Sequence, residues 1–153
     1  MNKLIAIAAL GTVALSSCSI LGTKSAAVSG QLVGFTNESN LRLALVGFNN
    51  GQYTADGSRA QILDKVLTNG YVLTLPRDIA NGIYRVVVFR DTNGNDRYDI
   101  GESVVSKDNA KRLIKAGAKD QFVKGTDYGW NIWSTNSGDI QVNVLNNYDL
   151  SAN

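Results

Sequence analysis

The sequence predicts an all-β fold, an antiparallel β-sandwich of about seven strands, and two observations indicate it. Short runs of strand-forming residues recur along the chain, and several of them alternate apolar and polar side chains. Segments rich in Gly and Asn separate these runs, with 15 Gly among the 153 residues, and both residue types favour turns. Short strands at such spacing are typical of sandwiches, and the length suits one domain with a sizeable core.

The predicted strands, in chain order, cover residues 28–35, 41–48, 71–75, 83–89 and 140–145. The leucines of the second strand alternate with other residues, so they share one face. Asn49-Asn50-Gly51 follows that strand directly and predicts a hairpin turn. The secondary structure of residues 61–67 is ambiguous from the sequence alone. Pro76 ends the third strand, because proline cannot donate a ladder hydrogen bond.

The sequence allows two alternative structures for residues 106–119. Ser106, Asp108 and Asn109 are helix-capping residue types, so one prediction is a short helix near 107–116, and the other is a strand around 112–115. The segment also concentrates positive charge, carried by Lys107, Lys111, Arg112, Lys115, Lys119 and Lys124. These side chains form either a solvated face or a surface for anionic lipid headgroups or envelope polymer.

The amino terminus reads as an export signal. A basic start at Lys3 precedes an apolar run over 4–15, which is too short to span a bilayer. Leu15-Ser16-Ser17-Cys18 follows and resembles the lipobox of bacterial lipoproteins. The resemblance implies a signal peptide over 1–17, lipid attachment at Cys18, and a tether over 18–27 before a domain at 28–153. The residue after the cysteine is Ser19 and not Asp, which by the same resemblance implies sorting to the outer membrane rather than retention at the inner one.

The composition excludes several classes of site. The chain has no His, which removes Ser-His and Cys-His catalysis and imidazole metal ligation. Its only Cys precludes an internal disulfide, and a lipid role explains why it is unpaired in an exported protein. A formal charge of +2, without a basic stripe interleaved with aromatics, gives no reason to expect nucleic acid as a partner.

One segment, residues 91–102, carries a chemical pattern. Oxygen-bearing side chains stand at its first, third, fifth, ninth and twelfth positions, namely Asp91, Asn93, Asn95, Asp99 and Glu102, and Arg97 would add its backbone carbonyl. This spacing resembles an EF-hand calcium loop and predicts Ca²⁺ as a structural cofactor. Asp96 stands where the EF-hand has Gly, and Asp tolerates left-handed geometry better than most residues.

The residues around the loop carry a second resemblance. The segment before the loop is strongly β, so no EF-hand helix precedes it. The chain here resembles the prealbumin-like and Ig-like sandwich modules of bacterial surface proteins, through Gly82, Tyr84, Asp91, Asn93, Gly94, Asn95, Asp99, Gly101 and Glu102. The resemblance implies a sandwich with a loop of this kind at one end. The alternative is a plain hairpin turn at Asn93-Gly94.

These observations lead to one functional interpretation and two alternatives. The leading one is a lipid-anchored, non-enzymatic protein of the cell envelope, stabilised by calcium, with a structural or adhesive role through envelope protein or polysaccharide. The first alternative is a module that binds carbohydrate or another ligand through Trp130 or Trp133, which would lie on opposite faces if their segment is a strand. The second is a carboxylate-based hydrolase using Asp127 and Asp139.

Overall fold

The computed structural model of the chain describes residues 26–54, 61–62 and 70–153, and only the backbone of 61–62. The predicted signal peptide, Cys18, most of the tether and residues 63–67 lie outside the described residues. Within those ranges the chain forms strands and no helix, which confirms the all-β prediction. The strands are β1 (Ala27–Gly30), β2 (Leu32–Val33), β3 (Leu41–Asn49), β4 (Gln52–Thr54), β5 (Gln61–Ile62), β6 (Tyr71–Thr74), β7 (Gly82–Arg90), β8 (Lys111–Ala116), β9 (Gly129–Ser134), β10 (Ile140–Val142) and β11 (Leu150–Ser151).

The strands form one large sheet and two small ones. The large sheet has the order β10-β9-β8-β7-β3-β4, with β5 also paired to β3, and all its pairs are antiparallel. β1 pairs antiparallel with β6, and β11 pairs parallel with β2. The main core joins one face of the large sheet to the small sheets, as in a sandwich. Its fully buried members include Leu43, Val86 and Ile132 on one side and Val28 and Leu150 on the other.

β7 lies between β3 and β8, and its position explains its long apolar sequence. Tyr84, Val86 and Val88 point into the main core, while Val87 and Phe89 point to the opposite face. That opposite face is also buried, because it forms a second apolar cluster with residues of β3 and with Tyr53, Tyr98 and Val104. A strand covered on both faces reads as a continuous apolar run rather than an alternating one.

The hairpin predicted after the second strand is present. Asn49 pairs with Gln52, so Asn50 and Gly51 alone form the turn between β3 and β4. Both turn residues have positive φ angles, 50° and 78°, as a type I′ turn requires. Asn and Gly are the residue types that reach this conformation at least cost.

The strand predicted over 28–35 is divided into β1 and β2, which belong to different sheets. The division falls where Gly30 meets the backbone of Tyr148, so closely that a Cβ on Gly30 would lie 2.2 Å from the Tyr148 carbonyl oxygen. Beside it, the backbone N–H of Gln31 donates to Asp149 Oδ1 at 2.8 Å. A contact with residues almost 120 positions away therefore sets this break.

The helix predicted near 107–116 is wrong, and the alternative strand prediction is right, as β8 shows. The side chains expected to cap a helix form local turns instead. Asp108 Oδ1 accepts from the N–H of Ala110, and Asn109 Oδ1 accepts from the N–H of Lys111. Ala110 adopts a left-handed φ of 53°, which is incompatible with a helix at that position. Asp and Asn compete with helix formation through such bonds.

Candidate functional site

The loop 91–102 leaves β7 and returns to the same strand. The N–H of Arg90 donates to the Ser103 carbonyl at 2.9 Å, and Phe89 and Val104 form a bridge. The loop is thus a wide excursion and not the plain two-residue turn that Asn93-Gly94 offered as the alternative. Of those two residues only Gly94 has a positive φ, whereas a type I′ turn requires two. Asp96 adopts φ 57°, the left-handed conformation expected at the loop's sixth position.

Asp91 fastens the start of the loop. Its side chain is buried, Oδ1 accepts from the N–H of Gly94 at 2.7 Å, and Oδ2 accepts from the N–H of Asp96 at 3.0 Å. The Nε of Arg42, on β3, lies 3.6 Å from Asp91 Oδ2 and donates to Asp96 Oδ1 at 2.7 Å. Two backbone N–H groups and one guanidinium therefore offset the loss of hydration of this buried carboxylate.

Asp99 brings the two asparagines of the pattern together. Asn93 Nδ2 and Asn95 Nδ2 donate to Asp99 Oδ2 at 2.8 and 2.7 Å. These two bonds hold the pKa of the Asp99 carboxyl below its usual value. The amide oxygens point away, because Asn93 Oδ1 accepts from the N–H of Asn95 and Asn95 Oδ1 accepts from the N–H of Arg97.

Glu102 accepts hydrogen bonds from residues near both ends of the loop. Its Oε1 accepts from the N–H of Thr92 at 2.9 Å, and its Oε2 accepts from the N–H of Asp99 at 3.0 Å. Across residues 26–54 and 70–153, no three side chains of His, Cys, Asp or Glu form a group that would hold a metal. Five of the six residues predicted as calcium ligands are joined by hydrogen bonds, whereas Asp91 bonds to Gly94 and Asp96 instead. The acceptors of this network face N–H donors, and nitrogens rather than amide oxygens face Asp99.

The two tryptophans lie on opposite faces of β9. Trp130 is 7% exposed and packs edge-on against Tyr84 in the main core, with ring centroids 5.5 Å apart. Trp133 is half-buried and pairs with Arg112 and Ile140 on the neighbouring strands. A ligand cannot reach the Trp130 ring without opening the core, so the two predicted ligand-binding residues do not form a common surface.

The basic segment divides into two groups. Lys115 Nζ donates to the Ile79 carbonyl at 2.7 Å, and Lys111 Nζ donates to the carbonyl of Asn147. Arg112 makes two bonds of 2.9 Å to Asp108. Lys107, Lys119 and Lys124 are exposed. Half of the positive charge that suggested a surface for anions is thus used to join segments of the chain.

Sequence reasoning missed a cluster of buried arginines beside β8. Arg85 is 3% exposed, its guanidinium lies 5.3 Å from the ring centroids of both Phe48 and Tyr53, and Arg112 lies 4.6 Å from Phe48. Asp108 is paired with both arginines, and the Arg112 hydrogen bonds lower the pKa of its carboxyl. The sequence offers one sign of this cluster, which is a charged residue, Arg85, inside an otherwise apolar strand.

Comparison of the chain with protein families, with curated proteins and with solved structures returned no match. In the part of the chain described above, no helix is long and apolar enough to cross a membrane.

Proposed function

We propose that this chain is a lipid-anchored, non-enzymatic protein of the bacterial cell envelope, held at the outer membrane through Cys18. The observation that carries the proposal is Leu15-Ser16-Ser17-Cys18 after an apolar run, in front of a β-domain whose first strand begins at Ala27. The role that fits this arrangement is structural or adhesive, through contacts of the β-domain with envelope protein or polysaccharide.

The spacing between lipid and domain supports a role close to the membrane. Ala26 follows Cys18 by eight residues, and a fully extended chain rises at most about 3.6 Å per residue. The first residue of the domain would then stay within roughly 30 Å of the lipid surface. Three acyl chains on Cys18, as the lipoprotein resemblance implies, anchor far more firmly than a single chain.

The carboxylates support a non-enzymatic role. Asp91, Asp99 and Glu102 accept hydrogen bonds from their own loop, and Asp108 accepts from Arg112. These bonds give the four carboxylates a structural role, which supports the proposal.

Replacement of Cys18 tests the anchor. We expect the wild-type chain, expressed in a Gram-negative host, to incorporate labelled palmitate and to fractionate with the outer membrane. Cys18→Ala should lose both properties, and Ser19→Asp should keep the label but move to the inner membrane. Ser19→Ala is the matched control and should behave as wild type. Firm membrane retention of Cys18→Ala would contradict the proposal.

Calcium binding by loop 91–102 stays a separate prediction. Asn93 and Asn95 would need to rotate their amides to present oxygen beside Asp99, and each would then lose a bond to a backbone N–H. Most side-chain oxygens of the predicted ligands already accept a hydrogen bond, so uptake of Ca²⁺ competes with existing bonds. We therefore expect weak affinity, in the range of about 10⁻⁴–10⁻³ M.

Thermal unfolding with calcium and with a chelator tests this prediction. A bound cation raises the midpoint by mass action, so about 10 mM Ca²⁺ should raise it if the loop binds calcium. Asp99→Asn should abolish the rise, whereas Asp78→Asn, at an exposed position outside the loop, should not. An unchanged midpoint for the wild type at this concentration would disprove calcium binding.

A further inference from the structure

A neutral groove lies at the β3–β4 edge of the large sheet. It encloses about 310 Å³, near the lower limit for small-molecule sites. Phe48, Ile83 and Phe122 supply apolar surface, and Asn49, Thr54 and Asn81 supply amide and hydroxyl groups. The side chains of these last three residues make no hydrogen bond to any other described residue, so their polar groups are available to a ligand.

Two glycines lie in the wall of the groove. Gly47 and Gly82 belong to its lining, on neighbouring strands of the large sheet. Gly47 has Thr54 directly opposite in β4, and a Cβ on Gly47 would meet Thr54 Oγ1 at 2.1 Å. The lack of a side chain on Gly47 therefore makes room for the Thr54 hydroxyl, which lies in the wall of the groove.

Phe122 is presented to this groove in an unfavourable backbone conformation. Its φ is +68°, a region that bulky residues rarely occupy, and its side chain is 50% exposed. A half-exposed ring recovers little burial energy to offset that cost. Residues held in such conformations cluster at binding sites.

The loop around Phe122 is firmly braced. Thr126 is fully buried, and its hydroxyl lies 2.9 Å from the carbonyl oxygens of both Gln121 and Val123, on either side of Phe122, so that they share its one proton. The N–H of Asp120 donates to the Thr126 carbonyl at 2.8 Å, and Asp120 Oδ1 accepts from the N–H of Gly125. The backbone that carries the ring is therefore fixed before any ligand arrives, which lowers the entropic cost of binding.

The lining described above contains no charged side chain. Lys115, which pairs with Gly82 across β7 and β8, directs its ammonium to the carbonyls of Arg77 and Ile79 instead. An anionic or cationic ligand would lose hydration here without gaining a partner. A sugar ring has an apolar face for an aromatic side chain and hydroxyls for amides, so its chemistry matches this set.

From these observations we propose that the groove binds a neutral saccharide, whose ring packs on Phe122 while its hydroxyls bond to Asn49, Thr54 and Asn81. The inference deepens the proposed adhesive role by naming a ligand class and a surface. It does not use the lipid anchor, so either proposal can fail while the other stands.

The test is amide NMR of the full-length lipidated protein in a deuterated, sugar-free detergent. The probes are methyl β-D-glucopyranoside, methyl β-D-galactopyranoside, methyl α-D-mannopyranoside and N-acetyl-D-glucosamine, each raised to about 50 mM. We expect at least one of them to shift the amide signals of Phe122 and of Asn49 or Asn81 in a saturable way. D-glucuronate should bind no more tightly than the neutral glucoside.

Variants separate recognition from folding. Phe122→Ala should weaken the affinity for the sugar roughly tenfold. Tyr128→Ala is the matched control, because Tyr128 is a 74% exposed aromatic of the same loop outside the groove lining, and should leave affinity unchanged. Phe122→Gly should lose binding without lowering the thermal midpoint, since Gly accepts the left-handed φ.

Three results would overturn the inference. The first is the absence of saturable shifts with all four neutral probes. The second is equal affinity of Phe122→Ala and wild type. The third is a thermal midpoint of Phe122→Gly well below that of wild type, because it would assign the ring a packing role.

Discussion

Replacement of Asp91 by Ala removes the buried carboxylate that organises loop 91–102. The side chain accepts from the N–H groups of Gly94 and Asp96 and lies beside Arg42. A hydrogen bond to a charged group contributes about 1.5–3 kcal/mol, and loop donors that water can reach justify the lower limit for each. The two bonds together predict a loss of about 3 kcal/mol in the free energy of unfolding.

Guanidinium unfolding followed by tryptophan fluorescence measures this loss. Both tryptophans of the chain lie on β9, so the signal reports the large sheet and not the loop itself. The denaturant midpoint should fall while the m-value stays constant, because the surface exposed on unfolding is nearly unchanged. A chelator in all samples keeps calcium out of the measurement.

Two variants calibrate the result. Asp91→Asn keeps one acceptor oxygen and should lose about half as much free energy as Asp91→Ala. Asp78→Ala, at an exposed position, should change it by less than about 0.5 kcal/mol. A loss for Asp91→Ala no larger than that of Asp78→Ala would refute the view that hydrogen bonds to this carboxylate hold the loop.

Three further predictions concern the core and the pH response. Gly30→Ala should cost about 3 kcal/mol in guanidinium unfolding, because its Cβ would overlap the Tyr148 backbone, whereas Gly82→Ala, whose Cβ would lie 3.5 Å from the nearest ring atom, should cost far less. Tyr148→Phe should cost about 1 kcal/mol, since the buried hydroxyl donates to the Lys111 carbonyl at 2.9 Å; an unchanged free energy would show that this bond contributes nothing. The lowered pKa of Asp108 stabilises the fold above pH 3.8, its usual pKa, and this stability is lost as the pH falls through the lowered value. An acid titration of unfolding should therefore be shallower for Asp108→Asn than for wild type, and identical slopes would contradict the Asp108–Arg112 pairing.

The sequence predicts those elements whose cause is local. The turn at Asn50-Gly51 forms because these residue types reach positive φ easily, and β7 forms because its β-branched and aromatic residues favour a strand. The break between β1 and β2 depends on the backbone of Tyr148, which no local pattern encodes. The sequence leaves the secondary structure of β8 ambiguous, because the capping-type residues just before it serve turns as readily as helices.

In loop 91–102, likewise, the sequence predicts which residues meet but not how their side chains are oriented. Its spacing brings Asn93, Asn95 and Asp99 together. Which atom of each amide faces the carboxylate depends on the neighbouring backbone donors, and spacing alone does not reveal it. For the aromatic residues, the sequence suggested Trp130 and Trp133. The groove instead uses Phe122, whose presentation depends on bonds made by Thr126 four residues later.

The hydrogen-bond network of loop 91–102 has a structural consequence without any metal. The network holds Tyr98 over the second apolar cluster, where its ring meets Phe89 edge-on at 5.4 Å and Tyr53 at 6.2 Å. Tyr53 in turn accepts a hydrogen bond from Arg85. A loop that covers a buried sheet face must keep one conformation, and the buried Asp91 carboxylate secures it. The acidic pattern therefore serves packing first, and a cation would act by strengthening a cover that the chain already forms.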